Sequence, residues 1–198
     1  MSSTAPSQDG LALPGFAAPV ADAQACFRAV LDAMAHPGRI VAAGAGLRPP
    51  APLAPAAAAV LLTLADADTP LWLDPALAAA APWLAFQCGA PAAALAASAF
   101  VVTTALPALE DIARGTDAVP EAGATVILQI AALGTGPALR LSGPGLAAPA
   151  LLAAEGLPAA FPSFWARNRA LFPRGIDLLL CAGTRLAALP RSVTSVAP

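Results

Sequence analysis

The sequence predicts an α/β protein in which a mixed β-sheet is covered by helices. Alanine-rich and amphipathic segments dominate the first half of the chain, whereas short β-branched or leucine-rich runs dominate the second half. The apolar run 176–182 (IDLLLCA) is typical of a strand that is buried on both faces. Neither an internal repeat nor a linker divides the chain. We therefore expect one domain over 13–198 after a disordered tail, 1–12.

The first predicted element is an amphipathic helix over 22–36. The preceding dipeptide 19–20 is expected to be extended, and Asp22 stands where an N-cap carboxylate accepts amide hydrogens of the first turn. Arg28 and Asp32, four residues apart, are expected to pair on the outer side of the helix. Apolar residues at helical spacing predict an inward stripe made of Phe27, Val30, Leu31 and Met34.

Periodicity and turn residues predict the remaining elements in order. The segment 54–65 is apolar nearly all round and should form a buried helix. Glycines and a proline at 134–137 predict two strands joined by a turn, and 161–172 is expected to be partly exposed. Three further helices are predicted: one after Asp74-Pro75, a short one over 108–114 and one over 147–154. The predicted strands are 39–43, 71–73, 99–104, 124–131, 138–142, 176–182 and, as the last one, 186–189.

Composition excludes several classes of protein. The net charge of −2 offers no basic surface for nucleic acid. All ten basic residues are arginine, so a lysine-dependent P-loop and a pyridoxal phosphate Schiff base are both excluded. Four prolines divide the uncharged stretch 75–109, which argues against a membrane span. Three scattered cysteines in apolar surroundings and the lack of a signal peptide predict reduced thiols and a cytoplasmic location.

The sequence contains no strong catalytic or metal-binding motif. A single histidine and three distant cysteines do not make a zinc site by local spacing, and the chain has no Gly-x-Ser-x-Gly motif. The segment 143–148 (GPGLAA) matches the dinucleotide-binding pattern loosely. Pro149 and the lack of an acidic residue at the required distance favour a plain turn. No cofactor and no metal are therefore expected.

Individual polar residues remain candidates for an interface or a ligand site. His36 is a general base or ligand, or else a cation at the end of a helix. Asp66 and Asp68 form a metal or acid/base pair, or else a turn that bonds its own backbone. Glu121 precedes a strand and lies at a site, at an interface or in a plain turn. The remaining candidates are Asp22 and Arg28 of the first helix, and Asp177 of a buried strand, for which Arg174 or Arg140 is the expected ion-pair partner.

Residues spread over nearly the whole chain resemble the PhnH family of the bacterial carbon–phosphorus lyase system. Each match is weak alone, but the ordered set is specific. The matching residues lie in the segments 19–28 (PVADAQACFR), 33–38 (AMAHPG), 60–72 (VLLTLADADTPLW), 115–116 (GT), 120–125 (PEAGAT), 172–178 (FPRGIDL) and 190–191 (PR).

The resemblance implies a single three-layer domain, similar to the fold of pyridoxal phosphate-dependent transferases but without the cofactor lysine. It implies a homodimer that joins the PhnG, PhnI and PhnJ subunits in a core complex. With PhnL, the PhnG, PhnH and PhnI set forms ribose 1-phosphonate 5-triphosphate from ATP and a phosphonate, and PhnJ later cleaves the carbon–phosphorus bond. Because the nucleosidase chemistry is assigned to PhnI, a structural rather than catalytic subunit is expected.

Two other functions stay open from the residues alone. A stand-alone enzyme could bind a nucleotide or phosphonate through Arg140, Arg174 and Asp177, with His36 as a further group. A pyridoxal enzyme by analogy of fold is disfavoured by the missing lysine. Under the subunit interpretation, the turns at 65–70 and 120–123 are expected to be polar edges of an interface.

Overall fold

A six-stranded mixed sheet runs through the middle of the molecule. In the computed structural model, which describes residues 13–196, the strands are β1 (Val41–Ala42), β2 (Leu71–Leu73), β3 (Phe100–Thr103), β4 (Thr125–Gln129), β5 (Ala132–Ser142), β6 (Ala150–Glu155), β7 (Asp177–Ala182), β8 (Arg185–Leu189) and β9 (Thr194–Val196). The large sheet has the order β1-β8-β7-β4-β3-β2. Its strands β2, β3, β4 and β7 are parallel, whereas β8 is antiparallel to both of its neighbours.

Alternating side chains of the central strands enter two separate apolar clusters, one on each face of this sheet. Val102, Ile127 and Leu179 point to one face, and their sequence neighbours Val126 and Leu178 point to the other. The parallel strands are therefore apolar at almost every position, as expected for strands buried on both faces. The predicted mixed α/β sheet is confirmed.

Three helices cover the first face. The helices of the described chain are α1 (Pro19–Ala35), α2 (Pro55–Leu64), α3 (Ala81–Cys88) and α4 (Phe161–Ala170). Helix α2 lies between α1, α3 and the sheet, and its residues 56–61 are all buried. The apolar pattern of this helix predicted that position. After Asp74 the chain forms a 3₁₀ turn, Pro75–Ala80, that leads directly into α3.

The second face is covered by a small antiparallel sheet and by α4 rather than by helices alone. The small sheet has the order β6-β5-β9. Trp165 of α4 is buried in this layer and donates a hydrogen bond to the carbonyl of Val193 at 2.8 Å. The segment 161–172 is partly exposed, as predicted, and four of its side chains are buried in this layer: Phe161, Phe164, Trp165 and Asn168.

Several predicted element boundaries in the second half are wrong. The segment 147–154 was predicted as a helix but contains β6, because pairing with β5 outweighs the helix preference of its alanines. The glycines at 134–137 form an irregularity inside β5 and do not join two paired strands, since β4 and β5 belong to different sheets. Only Leu109–Asp111 is helical within 108–114, and β9 follows the strand that was predicted to be the last.

The first helix begins earlier than predicted. Pro19 is its first residue, because a proline is well accommodated where the helix leaves amide hydrogens free. Asp22 is therefore not the N-cap, although its carboxylate accepts a hydrogen bond from the Ala18 amide at 2.9 Å. The expected inward stripe is divided: Val30 is buried, whereas Phe27 and Leu31 are 46% and 52% exposed.

Within the described residues, no helix has the length and apolarity required to cross a membrane. The predicted tail, 1–12, lies outside the described residues.

Candidate functional site

Loops at one edge of the central sheet bring four of the resembling segments together. This is the edge at which the parallel strands β4 and β7 begin. We call the segments 113–124 and 171–177, with Arg191 after β8, the amino-edge loops. Backbone hydrogen bonds of 2.8 Å connect them, from the Gly175 amide to the Arg114 carbonyl and from the Ala124 amide to the Ala113 carbonyl.

Asp177 and Arg191 form the central contact of the amino-edge loops. The Arg191 guanidinium donates to one carboxylate oxygen of Asp177 at 2.6 and 3.1 Å, and the Arg191 amide donates to the other at 2.8 Å. Only 18% of the Asp177 side chain and 13% of the Arg191 side chain are exposed. The expectation that Asp177 needs an arginine partner is confirmed, but the choice of Arg174 or Arg140 is wrong.

Arg191 also bonds the loop that precedes β4. Its guanidinium donates to the carbonyl of Pro120 at 2.6 Å. Gly123, in the same loop, has an ordinary φ of −69° but no room for a side chain, because a Cβ there would collide with the carbonyl oxygen of Gly175. Both ends of the segment PEAG are thereby fixed in place.

Asn168 of α4 holds the backbone of Ile176, the residue immediately before β7. Its side-chain oxygen accepts from the Ile176 amide at 2.8 Å, and its side-chain nitrogen donates to the Ile176 carbonyl at 2.9 Å. The side chain is fully buried, and both of its polar ends are satisfied. The sequence analysis did not single out Asn168 or Arg191. Neither residue carries a local sequence signal for its role, because their partners come from distant segments or depend on the folded loops.

Two predicted site residues lie on the outer surface of the amino-edge loops. Glu121 is exposed on the short 3₁₀ turn Pro120–Ala122 and makes no hydrogen bond or ion pair within the described residues. Arg174 approaches Asp117, with Nε 3.0 Å from the carboxylate oxygen. The structure thus brings Glu121, Arg174 and Asp177 to one edge of the sheet.

The candidates on α1 are spread along that helix and do not form one site. Arg28 was predicted to pair with Asp32, but its guanidinium donates instead to the side chain of Gln24 at 3.3 Å. Asp32 is instead paired with Arg39 at 2.7 Å and with His36 at 2.9 Å. The hydrogen bond from Arg39 is the main reason that the pKa of Asp32 lies below its usual value. His36 therefore caps the end of the helix beside a carboxylate.

Asp66 and Asp68 form a turn and not a paired carboxylate site. Asp66 accepts from the hydroxyl of Thr69 at 2.6 Å and from the amide of Asp68 at 3.0 Å. The Thr69 hydroxyl is the largest cause of the lowered pKa of Asp66. Asp68 is exposed, and its carboxylate has no hydrogen-bonding partner within the described residues.

Asp74 is a further well-bonded carboxylate that the sequence analysis missed. It follows β2 at the opposite edge of the sheet and accepts from the Ala76 amide at 2.9 Å. Its other oxygen accepts from the hydroxyls of Thr103 and Thr104 at 3.0 Å, and from the Thr104 amide at 3.1 Å. Partial burial raises the pKa of Asp74, but these hydrogen bonds outweigh it and lower the pKa overall.

The remaining candidates lie apart from these loops. Arg140 is exposed on β5 in the small sheet, and its guanidinium makes no polar contact within the described residues. Cys26 and Cys181 are buried, and burial raises the pKa of both thiols. No group of three histidine, cysteine, aspartate or glutamate side chains in the described part of the chain is placed to hold a metal ion.

An apolar surface on α1 is the other notable feature. Val20 is 76% exposed, and with Phe27 and Leu31 it lines a shallow groove between α1 and α2. Arg28 and Thr63 border this groove. We call Val20, Phe27 and Leu31 the α1 face. Large apolar side chains that are grouped and exposed commonly mark a protein–protein contact.

Comparison with known proteins identifies the family. Residues 14–196 match the family described as bacterial phosphonate metabolism protein (PhnH). The chain is 42% identical over 187 residues, 89% of this chain and 92% of the relative, to the alpha-D-ribose 1-methylphosphonate 5-triphosphate synthase subunit PhnH of Rhizobium meliloti (strain 1021). It is 35% identical over 177 residues, 85% of this chain and 83% of the relative, to the putative C-P lyase subunit protein HtxG of Stutzerimonas stutzeri. The chain therefore belongs to the PhnH family of bacterial phosphonate metabolism proteins.

Proposed function

We propose that this protein is a subunit of ribose 1-methylphosphonate 5-triphosphate synthase in a carbon–phosphorus lyase system. The observation that carries the proposal is the match along almost the whole chain to a relative that bears this name. Together with PhnG, PhnI and PhnL, the protein would be required for forming the ribose triphosphate product from ATP and a phosphonate. Its own contribution is structural.

The geometry supports an assembly role in two ways. The α1 face presents three large apolar side chains to the surface, which is the surface chemistry of a subunit contact. Most of the predicted polar candidates already bond neighbouring protein groups: Asp22 to a backbone amide, Asp66 to its own turn, and Asp177 to Arg191. These three side chains therefore serve local structure.

The finer features of the proposal follow the family resemblance. The protein forms a homodimer that joins PhnG, PhnI and PhnJ in the cytoplasm. Its central sheet is related to that of pyridoxal phosphate-dependent transferases, but the chain contains no lysine to hold that cofactor. Equilibrium dialysis with pyridoxal phosphate is expected to detect no specific binding, and stoichiometric binding would contradict this point.

Co-expression tests the assembly role. A tagged copy is produced with PhnG, PhnI and PhnJ from the same source, and the purified material is analysed for stoichiometry by gel electrophoresis and native mass spectrometry. We expect all four proteins in fixed ratio and a dimer when the protein is produced alone. Failure of the partners to co-purify, together with turnover of ATP by the isolated protein, would contradict the proposal.

The turns at 65–70 and 120–123 are proposed as polar edges of the interface. Asp68 and Glu121 are exposed and their carboxylates accept no hydrogen bonds within the described residues, so their replacement should leave the fold intact. We expect the double variant Asp68→Ala, Glu121→Ala to lose partners during stringent washing while retaining the thermal midpoint of the parent. Unchanged complex yield would remove these turns from the interface.

A further inference from the structure

A polar cleft opens between the two halves of the amino-edge loops. It has a volume of about 310 Å³, and its walls include Glu110, Arg114, Leu171 and Arg174. We propose that this cleft binds a tetrahedral phosphorus oxyanion, the PO₃ group of a phosphonate or a phosphate, through the guanidinium groups of Arg114 and Arg174. This ligand site goes beyond the assembly role and does not depend on it.

Arg114 supplies the first argument. Its side chain is half-buried at the cleft, and within the described residues its guanidinium has neither a hydrogen bond nor an ion pair. The backbone of Arg114 is fully used, since its carbonyl accepts from Gly175 and it forms a bridge with Gly123. A guanidinium at the wall of a cleft with none of its five N–H groups engaged is available to an anionic acceptor. A PO₃ group offers several acceptor oxygens in the geometry that arginine matches best.

Arg174 lines the same cleft, and the N–H groups of its guanidinium make no hydrogen bond within the described residues. Its only ionic contact in the described chain is Asp117, whose side chain is 82% exposed. Although Nε lies 3.0 Å from the Asp117 oxygen, that buried nitrogen is not aligned for a hydrogen bond with any group. An exposed pair of this kind is weak, so a doubly charged ligand can replace Asp117. Two guanidiniums would then converge on one ligand.

The loops that carry the two arginines are held rigidly, which lowers the entropic cost of binding. Gly175, next to Arg174, has φ of +121° and is packed against the side chain of Asn168. Gly115, next to Arg114, has φ of +68°, and a Cβ there would lie 2.6 Å from the Pro120 carbonyl oxygen. Arg191 fixes that same carbonyl from the other side. The arginine pair is therefore presented by a preorganised frame.

Glu110 determines which phosphorus compound suits the cleft. Its side chain is 62% exposed at the same cleft, and its carboxylate is only loosely paired with Arg167, at 3.7 Å. A long polyphosphate would bring further negative charge towards this carboxylate, whereas a single PO₃ group can remain at the arginines. We therefore expect methylphosphonate and inorganic phosphate to bind more tightly than ATP.

Calorimetric titration of the isolated full-length protein tests the site with three probes: methylphosphonate, inorganic phosphate and ATP. We expect one saturable site for the first two. The variant Arg114→Gln should weaken binding roughly tenfold to a hundredfold, the range expected for lost hydrogen bonds to a charged group. Arg140→Gln is the matched control, since it removes the same charge from an exposed arginine in the small sheet. Its affinity should equal that of the parent.

A substitution of the second arginine provides an independent test of the same site. Arg174→Gln should weaken binding as Arg114→Gln does, and thermal melting confirms that each variant is folded. The absence of saturable binding by the parent up to about 10 mM ligand would overturn the proposal. Equal losses in Arg114→Gln and Arg140→Gln would also overturn it, because general charge attraction would then explain the binding. Co-purification with the partner subunits should be unchanged in all three variants, so this test and the assembly test fail independently.

Discussion

Arg191 is the residue on which the amino-edge loops most depend. It joins the end of β8 to Asp177 of β7 and to the Pro120 carbonyl before β4, and only 13% of its side chain is exposed. Removing its guanidinium would leave the nearly buried Asp177 carboxylate without its cationic partner, with only the backbone amide of residue 191 still donating to it. The contact is therefore worth more than an ordinary surface ion pair.

We predict that Arg191→Ala lowers the free energy of unfolding by roughly 3 kcal/mol, as expected when one partner of a buried ion pair is removed. Urea unfolding followed by circular dichroism measures this difference. The control is Arg167→Ala, whose exposed pair with Glu110 should contribute less than about 1 kcal/mol. Equal effects of the two substitutions would mean that the Asp177 contact has no special structural weight.

Asp74 gives a prediction with a defined pH dependence. Its pKa is lowered in the folded protein, so its contribution is fully present above the ordinary value near pH 4 and is lost as the pH falls through the lower folded value. Asp74→Asn should cost about 1–2 kcal/mol at pH 7, because a single amide oxygen replaces a carboxylate that accepts four hydrogen bonds. The difference should shrink towards pH 3.

Urea titrations of the parent and Asp74→Asn at both pH values provide the measurement. Asp68→Asn serves as the control, since it removes the same charge from an exposed turn residue. A pH-independent cost of Asp74→Asn would show that the carboxylate charge is not what stabilises this corner.

At the scale of single residues, the sequence indicated which side chains require a hydrogen-bonding or ionic partner, but it did not identify the partner itself. The position of Asp177 at the start of a buried strand correctly indicated an arginine partner. The choice between candidates failed because Arg191 reaches this edge only through the β7–β8 hairpin pairing. Asp66 was correctly given a turn as one interpretation, since all of its bonds are local. Arg114 carried no local signal, because its lack of a partner is a property of the folded loops.

At the scale of elements, helix α1 differs most instructively from its sequence pattern. Phe27, Val30 and Leu31 have helical spacing, which predicted a single inward face. The structure instead turns Cys26, Val30 and Ala33 towards the core, since small residues allow α1 to approach α2 and the sheet closely. Periodicity gives the helix, but it does not say which of two apolar sides becomes the interior.

We predict that the double variant Phe27→Gln, Leu31→Gln abolishes subunit association while changing the free energy of unfolding by less than about 0.5 kcal/mol per site. Both side chains are about half exposed, so little apolar burial is lost within the protomer. Co-purification with partner subunits and light scattering of the isolated protein provide the measurements.

The control for the α1 face is Leu151→Gln, which replaces a 67% exposed leucine on β6 in the layer on the other side of the sheet. This control should associate normally. If both variants assemble like the parent, the α1 face is not the contact surface.

The wrong prediction of a helix at β6 also arose because local sequence preferences do not include pairing with distant strands. Alanine and leucine favour a helix over 147–154, yet burial of Leu152 and Ala154 on one side of a strand follows from pairing with β5. By contrast, β3, β4 and β7 were predicted close to their true positions because continuous β-branched and leucine-rich runs have few alternatives. Pairing between distant segments decides the rest.

At the scale of the whole molecule, one sheet is the common wall of two apolar clusters. The helical layer contains Trp83 and the opposite layer contains Trp165, and both indoles are fully buried. Neither layer can lose its packing without exposing one face of β3, β4 and β7. A single cooperative domain is therefore expected, as the undivided sequence also predicted.

Two single-tryptophan variants test this cooperativity. Trp72→Phe, Trp165→Phe leaves Trp83 as the fluorophore, and Trp72→Phe, Trp83→Phe leaves Trp165. Within each variant, we expect the thermal midpoint from fluorescence to coincide with the midpoint from far-ultraviolet circular dichroism, since both probes then report the same two-state transition. The far-ultraviolet signal of the same sample is the internal control for the destabilisation that each substitution causes. If the Trp165 signal changed several degrees before the circular dichroism, the small sheet and α4 would unfold separately, and the chain would consist of two units built on one sheet.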